Sequence, residues 1–399
     1  MAKKSIPKNN SIDFNDRLIL FKFFLSAFGS KHLFDFKHLN HKNFEGYDES
    51  GNTFFFRELN HRLSLPAYGK SIFITPDKLK EYDENICRHL KYISEKRGTI
   101  ILKYFQYFSL LFTEIFLDRF FNETEDFVRE LNEFIESNQK GFLFGQLNIA
   151  PYTKENLNRL AFMCATGSGK TLIMHINILQ FRHYNKLAKR HYHGIEINKT
   201  ILLSPNEGMS LQHLDEFKKS NIPASLFQKN GYGFDFTKDD VVVIDMNKLK
   251  EEGKVKTVSV DSFEQNNLVL IDEAHRGLQG DVWTDFRSRL SAEGGFSFEY
   301  SATFKQALRS LSSAKKQDEL LLNEYGKSII MDYSYKYFYG DGYGKDYRIY
   351  NLQSGFETIL RDGSVIRDGR ADRGGNEQQF TYLTGCLLTF FQQLKLFEE

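Results

Sequence analysis

Arg159-Leu160-Ala161-Phe162-Met163-Cys164-Ala165-Thr166-Gly167-Ser168-Gly169-Lys170-Thr171-Leu172-Ile173-Met174-His175 reads as a strand, a loop and a helix. Arg159 to Cys164 is a short apolar run of the kind that fills a parallel strand buried on both faces. Ala165 to Thr171 is a phosphate-binding loop. Its small residues let backbone N–H groups wrap phosphates, and the following helix N-terminus adds a favourable partial positive charge. Lys170 is placed to reach the β- and γ-phosphates of a nucleotide, and the Thr171 hydroxyl to ligate Mg²⁺. The general pattern asks for Gly where Cys164 stands, so only the second half of the loop is standard. A glycine-rich turn without a ligand is the bland alternative, and the strand and helix on either side argue against it.

Outward from this loop, short apolar runs alternate with helical or polar stretches. Lys199 to Ser204, Asp240 to Asp245, Asn267 to Ile271 and Phe296 to Tyr300 are four further buried strands. Such alternation predicts an α/β fold with a parallel sheet covered on both faces and ligands at the carboxyl ends of its strands. At the end of one strand stands Asp272-Glu273-Ala274-His275. Asp272 is placed to hold Mg²⁺ through water, opposite Thr171, and Glu273 to orient and deprotonate an attacking water. His275 is positioned to sense the terminal phosphate. Ser301-Ala302-Thr303 closes the next strand, where hydroxyls can bridge the metal site to a neighbouring lobe. An acid pair or a Ser-Ala-Thr run alone is ordinary surface; the phosphate loop upstream gives them meaning.

Composition bounds the rest. With 399 residues, two or three domains are expected, and 41% hydrophobic with 26% charged residues describes a soluble globular protein. A formal net charge of +1 carries no global basic signature, so any nucleic-acid surface must be local. Cys87, Cys164 and Cys386 lie far apart, which suggests reduced thiols in a cytoplasm and neither a zinc site nor a disulfide framework. Met1 to Asn10 lacks the apolar core of a signal peptide. Ile100 to Phe121 comes nearest to a membrane span. Lys103, Gln106, Glu114, Asp118 and Arg119 interrupt it, so a buried helix is expected.

The N-terminal region, residues 1–98, is mainly helical, with helices expected over Phe14 to Phe28 and from the Thr75-Pro76 start. Asp35-Phe36-Lys37 has the D-x-K form of some nucleases but no partner carboxylate, and His32, His38 and His41 lack a ligand pattern. Residues 99–158 form a helical lead-in and linker, with Asn122 to Glu125 at capping-box spacing, and 159–328 the nucleotide domain. Ile330 to Tyr339 alternates, Gly340 to Gly344 turns and Arg348-Ile349-Tyr350 returns, which predicts a C-terminal β-hairpin within 329–399. Gly344-Lys345 mimics a phosphate loop, but Asp346 follows where a hydroxyl is needed.

The loop Ala165 to Thr171, Asp272-Glu273-Ala274-His275 and Ser301-Ala302-Thr303, in this order, resemble the first RecA-like lobe of superfamily 2 DEAD/DEAH-box helicases. Asp272 to Arg276 and Thr166 to Met174 are most similar to the helicase-type Res subunit of Type III restriction enzymes. The resemblance covers roughly Leu102 to Leu352 and implies a RecA-like P-loop NTPase domain that binds ATP and Mg²⁺ and hydrolyses the ATP. It also implies that Ile201 to Asn206 is the segment touching a nucleic-acid backbone, DNA in preference to RNA. Gln106, after Phe105, corresponds to the adenine-reading Gln of that family; Gln146 is a rival candidate. Thr166, Gly167, Ser168, Gly169, Lys170 and Thr171 would hold the nucleotide. The family closes a second RecA-like lobe, with an arginine finger, over the nucleotide. Too few residues follow the expected hairpin for that lobe, so a fragment, or a partner chain supplying a second lobe or a nuclease, is expected. Two functions follow: a nucleic-acid helicase or translocase motor of a defence system, or an ATP-binding assembly or regulatory module that does not hydrolyse ATP alone.

Overall fold

The computed structural model describes residues 17–65, 74–139, 149–227, 240–249, 263–274, 289–292, 294–304 and 324–344, with short pieces of 345–399. Two compact units result, Met1–Gly344 and Lys345–Glu399. The first runs across the boundaries expected at 98, 158 and 328.

Its centre is a seven-stranded sheet of β1 (Arg159–Cys164), β2 (Thr200–Ser204), β3 (Ala224–Leu226), β4 (Val241–Asp245), β5 (Leu268–Asp272), β6 (Phe296–Ser301) and β7 (Ile329–Tyr333). The spatial order is β3-β4-β2-β5-β6-β1-β7, and every neighbouring pair is parallel. Successive side chains of a strand point to opposite faces. All residues of β2, β4, β5, β6 and β7 are buried, so both faces are covered, as the apolar runs of β2, β4 and β5 require. This is the RecA-like α/β fold expected. Because the strands are parallel, the loops after β1, β2 and β5 leave from one edge.

The N-terminal residues supply α1 (Ile19–Ala27), α2 (Phe54–Ser64), α3 (Pro76–Arg97), α4 (Tyr104–Asn122) and α5 (Thr124–Gln139). Thr75 Oγ1 accepts from the Lys78 N–H and caps α3, and Leu79, Tyr82, Ile86, Leu90 and Ile93 are buried along its inner face. Asp35 is a local cap as well: its carboxylate accepts from the Ser30 hydroxyl and the Lys31 and His32 N–H groups. α4 is buried on nearly every side and packs on α3, β7 and α6 (Lys170–Arg190). Among the described residues no helix is long and apolar enough to cross a membrane.

The polar residues that interrupt α4 each have partners. Lys103 pairs with Glu45 at 2.7 Å, Asp118 accepts from Lys78 and Tyr82, and Arg119 forks onto Glu130 at 2.6 and 2.9 Å. Glu114 is buried completely and accepts from Tyr184, Gln180 and Asn85. Burial pushes its carboxyl from an ordinary 4.5 up to about 7, against the pull of those donors. The folded chain therefore holds this proton between about 4.5 and about 7, where the unfolded chain has lost it. Stability from this group is greatest at the acid end of that window and falls as pH rises through it, by roughly 3 kcal/mol at most. Thermal melts at pH 5.5 and 8 are expected to show a smaller alkaline loss for Glu114→Gln than for the wild type.

The C-terminal hairpin expected over Ile329 to Leu352 is not what forms. Ile329–Tyr333 becomes β7 and pairs with β1, and Tyr335–Gly340 is a short helix, α8. The first half of the run, Ile329–Tyr333, is wholly buried and finds a parallel partner in β1. In the second half only Tyr337 is buried while Tyr335 and Tyr339 are exposed, a one-sided pattern that a helical turn satisfies. The expected return strand at 348–350 lies outside the described residues. In the second unit, β8 (Thr358–Ile359) and β9 (Val365–Ile366) form a two-stranded antiparallel pair.

Candidate nucleotide site

The loop between β1 and α6 is shaped by its two glycines. Gly167 and Gly169 take φ of +85° and +91°, left-handed values that a Cβ disfavours. A Cβ on Gly169 would lie 2.5 Å from the Gln106 side-chain nitrogen, so a side chain there would push the Gln106 amide aside. Cys164, where the general pattern has Gly, is the fully buried last residue of β1. Burial pushes its thiol up to about 12, so it acts as a small core residue and takes no part in the loop's chemistry.

Gln106, in the first turn of α4, donates to the Ser168 carbonyl at 2.9 Å, and its own carbonyl accepts from the Lys103 N–H at 2.9 Å. Both ends of the amide are thus engaged, and the side chain pins the loop to α4. Gln106→Ala is expected to weaken ATP binding about tenfold, the loss of one well-placed hydrogen bond to the loop backbone. Titration with a fluorescent ATP analogue checks this. The rival Gln146 lies outside the described residues. An aromatic group flanks the loop: Phe105 stacks on Tyr333 at 3.7 Å, and Phe338 of α8 lies 3.8 Å from where a Gly167 Cβ would be. Asp341 accepts from Tyr104 and Tyr333 and holds this group together.

The acid pair arrives from β5, two strands from β1 with β6 between them. Lys170 Nζ lies 2.9 Å from Glu273 Oε1, so the loop lysine and the candidate base meet although 103 positions separate them. Both side chains are largely sheltered from solvent. Glu273 itself has φ of +50°, a conformation rare for a residue with a side chain, and its N–H donates to Asp272 Oδ1 at 2.9 Å. Asp272 Oδ2 is held by His213 Nε2 at 2.9 Å from α7 (Glu207–Lys219). Ser301 and Thr303 bond to each other: the Thr303 N–H donates to the Ser301 hydroxyl, which donates to the Thr303 carbonyl. His275 lies outside the described residues.

The residues present fit a magnesium nucleotide. The loop has two left-handed glycines at a helix N-terminus, a buried Ser168 hydroxyl without a partner among the described residues, and a lysine beside the Glu273 carboxylate. Thr171 is the second residue of α6, directly behind that lysine. Sequence reasoning missed His213 and the aromatic group. A lone histidine on an amphipathic helix carries no spacing signal, and the tyrosine-rich run was read as strand.

Residues 121–306 match the family model described as Type III restriction enzyme, res subunit. The match takes in the loop, the acid pair and Ser301 to Thr303 and stops short of Gln106. No curated protein matches the chain. Among solved structures, the Sulfolobus solfataricus SWI2/SNF2 ATPase core in complex with dsDNA is 14% identical with a TM-score of 0.26. That match covers 50% of this chain and spans 40% of the length of the other.

Proposed function

We propose, from the premise that residues 121–306 are a Res-type RecA-like lobe of the superfamily 2 helicases, that this chain is the ATP-hydrolysing half of a DNA translocase or helicase motor. The observation that supports this most is the 2.9 Å contact between Lys170 and Glu273, which puts a phosphate-reaching cation and a carboxylate base in one place. Loop N–H groups from Thr166 to Lys170 and the N-terminus of α6 would bind the phosphates. Thr171 and Asp272 would hold Mg²⁺, which when bound neutralises charge on the phosphate oxygens. A triphosphate offers Lys170 a stronger anion than Glu273 does. Its departure leaves Glu273 free to orient a water and take its proton. Asp272 keeps its direction through two fixed oxygens, and Gln106 keeps the loop in register.

Ile201 to Asn206 would meet the nucleic-acid backbone without reading sequence. DNA in preference to RNA, and a setting in restriction or defence, follow from the family's description alone. A second lobe from further sequence or a partner chain would complete the cleft. ATP turnover measured with and without duplex DNA, single-stranded DNA and RNA tests this reading. Stimulation by DNA is the expected result. ATP binding with no stimulation by any of them would favour the ATP-binding assembly or regulatory module instead.

A further inference from the structure

We infer that His213 is a positioning residue that sets the direction of the Asp272 carboxylate and ties it to α7. The inference rests on reading Asp272 as the magnesium carboxylate. His213 and Asp272 are both buried, and the imidazole Nε2 lies 2.9 Å from Asp272 Oδ2. The other carboxylate oxygen accepts the Glu273 N–H. With both oxygens held, the carboxylate has one orientation, as a metal-bound water at a fixed place demands.

His213 uses one ring nitrogen, Nε2, on the Asp272 carboxylate. Its Nδ1 is buried without a partner among the described residues, an arrangement that costs free energy and that a leucine of similar volume would avoid. The Nε2–H···Oδ2 bond to a buried carboxylate is the interaction that offsets this cost.

The helix that carries His213 is held at both ends. At its start the Asn206 side chain caps the Met209 N–H, and the Asn247 amide donates to the Pro205 carbonyl. At its end Arg97 of α3 donates to the Glu216 carboxylate and to the Ser220 hydroxyl, and that hydroxyl also meets His175 on α6. α7 therefore joins the segment Ser204 to Asn206, which leaves the sheet beside the acid pair, to the metal carboxylate through a single side chain.

The test is the Mg²⁺ concentration needed for half-maximal tight binding of a fluorescent, non-hydrolysable ATP analogue to the full chain. His213→Leu keeps the volume and removes the donor; His213→Gln keeps an N–H donor. Loss of such a supporting contact typically weakens metal affinity 10- to 100-fold. The Leu variant is expected to need about tenfold more Mg²⁺ or above, the Gln variant to stay near wild type, and binding in EDTA to be equal in all three. Should the Leu chain fail to fold, His213→Asn, too short to span the contact, takes its place. An unchanged Mg²⁺ requirement in the donor-less variant, with nucleotide still bound, overturns the role of His213 alone. Failure of the wild type to bind nucleotide overturns the reading of the site and this inference together.

Discussion

Lys170→Ala is expected to abolish ATP turnover and to weaken ATP binding by at least tenfold. The amine is the one cation the loop brings to the phosphates, and it is held beside Glu273 at 2.9 Å in a sheltered site where a charge is worth more than in water. On the proposed reading, alanine would remove the electrostatic partner of the transferring phosphoryl group, and it takes the Lys170 ion pair from Glu273. The loop glycines are untouched, so a residual, weaker affinity from backbone N–H groups is expected. Equal ATP affinity in the wild type and the variant, measured by calorimetry, would count against the site.

Glu273→Gln separates binding from chemistry. The amide keeps the size of the side chain but cannot take a proton from water, and loss of a general base typically costs 10²- to 10⁴-fold in rate. Binding should persist or tighten, because the substitution removes the carboxylate that competes with the triphosphate for Lys170. Lys170→Ala thus loses affinity and Glu273→Gln keeps or gains it, while both lose turnover. Retained hydrolysis in Glu273→Gln under single-turnover conditions would remove Glu273 as the base.

The parts legible in the sequence are those specified by local chemistry. Gly167 and Gly169 mark backbone that only glycine tolerates, and the loop between a buried strand and a helix follows from them. The strands β1, β2, β4 and β5 announce themselves as apolar runs because both sides of each are buried, whereas β6 alternates aromatic and polar residues. α4 was legible through its interruptions: charges that would be costly in lipid are paired inside a protein, as Arg119 with Glu130 demonstrates.

What was not legible depends on distant partners. Ile329–Tyr333 becomes a sheet strand only because β1 lies open beside it, and no feature of residues 329–333 encodes that neighbour. A ten-residue alternation with its tyrosines on one phase, at 333, 335, 337 and 339, fits a strand or a strand followed by a helical turn, and packing chooses. β3, three residues long and half-buried, is too short to leave a pattern. His213 carries no motif at all. Its meaning appears when the chain places it 59 positions away in sequence and 2.9 Å away in space from Asp272.

The central claim is that the loop after β1 and the acids after β5 act on one nucleotide and its metal. A crystal of the chain grown with a non-hydrolysable ATP analogue and Mn²⁺, with the metal located by its anomalous scattering, tests this most directly. The account predicts a manganese peak between Thr171 and Asp272, with the triphosphate lying along residues 166–171 and Lys170 turned from Glu273 toward it. A nucleotide bound elsewhere, or a metal out of reach of Asp272, would contradict it.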